Sequence, residues 1–196
     1  MVRIGGTLGV LLAAAGCDRE GEPEICPAAG DGDLVITELH GEQTGGGADV
    51  DGAWIELYNA SGGSLDLRGL EVTLRTAAGD LGVVRVRRTV TVAAGERAVL
   101  SYRPEDRRPP YADYGWYPDF IDSSGNPHDL YAAGVVEVRA CGQLVDQMSY
   151  AALPDLGSWS LGVDPPTAAA NDDAAAWCDA AAPGTPGESN PPCPIP

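Results

Sequence analysis

"AWIELYNASGGSLDLRGLEVTLR", residues 53–75, decides the fold. Ile55 and Leu57 alternate with Trp54, Glu56 and Tyr58, the period of two that a strand imposes. Ser61, Gly62 and Gly63 supply turn chemistry, glycine being free to take positive φ. Leu65 and Leu67 then alternate with Asp66 and Arg68, and Leu70, Val72 and Leu74 repeat the pattern. Three short strands in quick succession, each with one apolar set, belong to a layered sheet protein rather than to a helical one.

The same period extends in both directions. Upstream, "DLVITELH" (33–40) sets Val35, Thr37 and Leu39 on one face and Leu34, Ile36 and Glu38 on the other, which leaves its buried face open. Downstream, "GVVRVRRTVTV" (82–92) alternates Val84 and Val86 with Arg85 and Arg87, and "ERAVLSY" (96–102) reads as a strand. Residues 103–134 are irregular and rich in Pro, Gly and Tyr. "GVVEVRACGQLVDQMSY" (134–150) reads as a hairpin with Gly142 at or near its turn, "GSWSLGVD" (157–164) as a further strand, and "DDAAAW" (172–177) as one helical turn at most. About eight to ten short strands separated by turns predict an all-β sandwich. No window carries a helical period.

The ends predict export. Arg3, an apolar run over 4–15 and "LAAAGC" ending in Cys17 resemble a bacterial lipoprotein signal, with residues 1–16 removed and Cys17 lipidated. Residues 17–32 read as a flexible linker that holds the domain off a membrane by its lipid rather than by a spanning helix. Four more cysteines, Cys26, Cys141, Cys178 and Cys193, predict two disulfides with three possible connectivities. We favour Cys26–Cys193, tying the two tails, and Cys141–Cys178, tying a strand to the C-terminal segment.

Net charge is −17, with twelve arginines and no lysine. That balance opposes nucleic-acid binding, because an acidic surface repels phosphates. Eight of the arginines nevertheless fall within residues 75–108. Arg85 and Arg87 project from one face, and "YADYGWYPDF" (111–120) carries Tyr114, Trp116 and Tyr117. Together they are the candidate partner-binding surface, for an envelope protein, a polysaccharide or anionic lipid; pairing of the arginines with the chain's own acids, and packing of the rings in the core, are the competing readings.

In their order, "DLVITEL", "WIELYNAS", "LDLRGLEV", "GERAVL", the 134–150 hairpin and the closing "GSWSLGVD…AAAWCDAAAPGTPGESN" resemble the lamin tail domain in its bacterial, lipoprotein-type form. The resemblance spans residues 33–190, leaving 191–196 as a short tail. It implies an immunoglobulin-like β-sandwich and a binding, tethering or scaffolding role at the cell envelope, in the inner or outer membrane. It offers no shared catalytic residues and no cofactor.

A nucleophile needs a positioned base, and only His40 and His128 offer imidazoles, without a Gly-x-Ser-x-Gly elbow. Asp49, Asp51 and Glu56 in "ADVDGAWIE" are hard oxygen ligands beside a glycine turn, a weak calcium candidate without the full spacing of a calcium loop. The expected protein is therefore non-catalytic. A carbohydrate-binding module is the first alternative and an envelope hydrolase the second.

Overall fold

The computed structural model describes residues 25–41, 52–118 and 130–194. Cys17, Asp49, Asp51 and His128 lie outside them. The chain forms an all-β sandwich of two antiparallel layers with one parallel pairing at an edge. The larger sheet runs β12 (Trp177–Ala180), β11 (Ser158–Leu161), β1 (Leu34–His40), β2 (Trp54–Asn59), β7 (Arg97–Ser101) and β8 (Tyr114–Gly115), the last parallel to β7. The smaller runs β10 (Gln143–Tyr150), β9 (Gly134–Ala140), β4 (Leu70–Arg75) and β5 (Leu81–Arg85). β3 (Leu65–Asp66) and β6 (Thr91–Val92) form a small ribbon. One helical turn, α1 (Ala168–Asn171), is capped by Thr167, and a 3₁₀ turn at Ala174–Ala176 leads into β12.

The alternation places the core where the strands predict it. Ile55, Leu57, Leu70, Val72, Leu74, Val84, Val136 and Val138 are fully buried between the layers. Burying one such side chain contributes about 1.5–3 kcal/mol.

Both faces of β1 are covered, and its face changes partway along. Ile36 pairs with Leu57, but Glu38 pairs with Glu56, so Thr37 is an extra residue. Without this bulge, strict alternation would aim Glu38 into the core. The bulge turns it to the outer face and brings Leu39, opposite Ile55, inward. A second bulge lies between Leu144 and Asp146 on β10, which turns Asp146 inward, opposite Val138.

The four cysteines form two bridges, but not the favoured pairs. Cys26 joins Cys141 and Cys178 joins Cys193, with Cα atoms 5.4 and 5.7 Å apart. Cys141 and Gly142 are the two residues of the β9–β10 turn and both take positive φ, the geometry of a type I′ hairpin. The N-terminal segment crosses beside this turn, its Ile25 carbonyl resting where a Cβ on Gly69 would stand. Cys193, in the C-terminal segment, is held at β12 instead, and Cys26 at the β9–β10 turn. Two disulfides are what an oxidising, exported setting produces. No helix of the described residues is long and apolar enough to cross a membrane.

Candidate functional site

The sequence-predicted residues meet, but mostly as structure. Tyr114 and Trp116 are buried at the β7–β8 edge, and only Tyr117 is exposed. The Tyr114 hydroxyl donates to the Arg85 carbonyl (3.0 Å) and accepts from the Arg87 N–H (3.2 Å). The aromatic loop and the arginine strand are thus joined, with Tyr114 closing the far end of β5's open edge. Arg85 pairs with Glu71, Arg88 and Arg108 with Glu105, and Arg75 and Arg139 with Glu137. Self-pairing therefore accounts for much of the basic segment, and Trp116 and Tyr114 serve packing.

Glu56 belongs to a buried polar patch on the outer face of the larger sheet. Its Oε1 accepts from Thr37 Oγ1 (2.6 Å) and lies 3.3 Å from Arg97 Nε; its Oε2 accepts from the Gly187 N–H (2.7 Å). Both oxygens are engaged by the protein. Burial pushes its carboxyl up to about 7, with Glu38 adding to the rise, while Thr37, Gly187 and Arg97 pull it down. Glu38, its cross-strand partner, accepts from Ser158, from Ser160 (2.8 Å) and from the Thr185 N–H and hydroxyl. Asn190 donates to the carbonyls of Thr37 (2.8 Å) and Leu161 (3.2 Å). Residues 185–190 are thereby fastened over the carboxylates. Beside them His40 stacks on Trp54 at 5.1 Å, a buried packing position.

Asp146 forms a second tie. β11 pairs with β1 only at Glu38 and Leu39, which leaves the Ile36 backbone without a strand on the side away from β2. Asp146 accepts the Ile36 N–H (2.7 Å), and Asn171 donates to the Ile36 carbonyl (2.6 Å) and to Asp146 (3.1 Å). Two side chains thus replace a missing strand. Burial pushes the Asp146 carboxyl up to about 7; N–H groups of Ile36 and Gln147 oppose the rise, and Asp172 and Asp31 reinforce it.

Sequence reasoning missed a groove of about 780 Å³ lined by Gln147, Ser149, Tyr150, Trp159, Asp172 and Trp177, among others. It exists because the sheets differ in width. β10 lies along β1, so β11 and β12 extend past the smaller sheet. Their core-side face carries Trp159 and Trp177, stacked with centroids 6.4 Å apart. The local signal was two tryptophans, in "SWSL" and "AAAWC", of which Trp177 is buried and Trp159 half-buried.

Among the described residues, no group of three or more His, Cys, Asp or Glu is placed to hold a metal ion. No protein-family model matches the chain, and no curated protein matches it.

Proposed function

We propose that this chain is a non-catalytic cell-envelope lipoprotein whose sandwich, of lamin tail domain type, serves as a binding, tethering or scaffolding module. The observation that carries this reading is how the buried acids are used. Glu38, Glu56 and Asp146 each hold backbone N–H groups from separate segments. Acids that fasten segments together are serving rigidity, the property a tether needs. The order of strand motifs supports the family, and the leader ending in Cys17 supports the anchor.

Detergent-phase partitioning tests the anchor. The protein expressed with its leader is expected in the detergent phase and labelled by an alkyne fatty acid, with Cys17→Ala in the aqueous phase and unlabelled. Unlabelled, water-phase wild type would remove the anchor. Assay of the mature protein on ester, phosphoester, peptide and glycan panels, with and without Ca²⁺, tests the module itself. Turnover abolished by a single acidic or His40 substitution would make it an enzyme.

A further inference from the structure

β10 is the last strand of its sheet, and no described strand pairs with its outer edge. Hydrogen-bonding direction can be counted from the two-residue turn, where Ala140 and Gln143 face each other. In an antiparallel ladder the bonded pairs alternate with unbonded ones. Beyond the bulge this makes Val136–Met148 and Gly134–Tyr150 bonded pairs, and Glu137–Gln147 and Val135–Ser149 unbonded ones. The Ser149 N–H and carbonyl, with the Gln147 carbonyl, therefore point away from β9 and into the groove. The Gln147 N–H, in the same unbonded pair, points the same way.

Three features of the groove act together. Its near wall is the edge strand β10, its far wall is the indole of Trp159 backed by Trp177, and its rim on the side of β11 and β12 is acidic, whereas Glu137 on the β9 side is already paired with Arg75 and Arg139. Asp172 lines it, and Asp179 is the cross-strand partner of Trp159 and shares its face. Neither aspartate has a cationic partner among the described residues. Edge backbone groups are matched by an extended peptide, which repeats its own N–H and C=O at the same spacing. An aromatic wall takes alternate apolar side chains, and unpaired aspartates favour basic ones.

We propose that this groove takes an extended, basic peptide segment as an added strand on β10, its apolar side chains against Trp159 and its basic ones beside Asp172 and Asp179. This rests on the reading of the domain as a binding module and names the class of partner it would hold.

The test uses the mature chain from residue 17, a fluorescein-labelled ten-residue alternating Val-Lys peptide, and its Val-Glu counterpart, read by fluorescence anisotropy. Saturable binding of Val-Lys and none of Val-Glu is expected. Ser149→Pro deletes an outward N–H that β9 does not use, a substitution an edge strand accommodates. It should weaken binding about ten-fold or more, as should Trp159→Ala, the scale set by one or two lost hydrogen bonds or a lost aromatic contact. A Val-Lys peptide N-methylated on alternate residues makes the same test on the ligand and leaves the protein untouched. The inference is overturned if Val-Lys fails to bind, if Val-Glu binds equally, or if Ser149→Pro and the N-methylated peptide bind as well as their parents. A glycan array signal lost in Trp159→Ala but kept in Ser149→Pro would assign the groove to sugar and also overturn strand addition. Each of these outcomes leaves the module reading standing; only turnover in the substrate panels removes that.

Discussion

Asp146 and Glu38 owe their positions to single inserted residues. Strict alternation would carry Glu38 into the core and Asp146 out to solvent, and the bulges at Thr37 and Val145 reverse both. Removing the Asp146 carboxylate leaves the buried Ile36 N–H without an acceptor, a loss of about 1–3 kcal/mol. Asp146→Ala should lower the urea midpoint accordingly. The two raised carboxyls fix a pH dependence. In the unfolded chain Glu56 titrates near 4.5 and in the folded protein at about 7; for Asp146 the values are 3.8 and about 7. Between those limits the folded state holds more protons, so stability falls as pH rises from about 4 to above 7. Thermal melts should show the midpoint climbing on acidification from pH 8 to 5, with Glu56→Gln flattening the slope. Relief of the overall negative charge adds to the climb, and Glu56→Gln isolates the part owed to this residue. The open reading of 33–40 traces to the same cause: period counting assumes an unbroken register, and "LVITELH" changes face in its middle.

Strand existence was legible wherever one face is apolar. β2, β4, β7, β9 and β10 fall where "WIELYN", "LEVTLR", "ERAVLSY" and the 134–150 hairpin put them. "GVVRVRRTVTV" proved to be two pieces, β5 and β6, because the backbone turns away from Gly69 and Leu70 after Val86, where the Arg87 N–H meets Tyr114. β12 was missed, since "WCDA" has too few residues to display a period, and the cysteine pairing was misjudged because path length along the chain does not reveal which turn a tail crosses. The bridges lead to different expectations. Cys178 and Cys193 are 15 residues apart and Cys26 and Cys141 are 115 apart. Loop-closure entropy assigns these about 3 and 5 kcal/mol. Double replacement by alanine should therefore cost more at 26/141 than at 178/193, by comparison of denaturant midpoints. Non-reducing peptide maps should recover the same two links. Gly69, at φ +91° with the Ile25 carbonyl 1.9 Å from where its Cβ would stand, admits no side chain. Gly69→Ala should displace the segment carrying Cys26 and lower the yield of that bridge.

At the scale of the whole molecule, the unequal widths of the two sheets matter most. A narrow sheet facing a wide one leaves two strands overhanging, and the groove with its tryptophans follows from that count. The tryptophans of "SWSL" and "AAAWC" hint at it, but width belongs to topology and only the pairing order reveals the groove. The closing segment is the other global feature. Deleting residues 183–196 removes the donors to Glu38 and Glu56 from Thr185 and Gly187 as well as Cys193. The truncated chain should lose more stability than Cys178→Ala/Cys193→Ala alone, measured by urea unfolding.

The position of that segment in chain order sets a timetable. A polypeptide leaving a ribosome or a translocation pore N-terminus first delivers the twelve described strands before Thr185 and Gly187 arrive. Until then Glu56 of β2 is bathed in water and titrates near its ordinary 4.5. When the segment carrying Thr185 and Gly187 docks it dries that surface, and the folding protein takes up a proton at Glu56 as it does so, which makes this step easier in a mildly acidic surrounding than in an alkaline one.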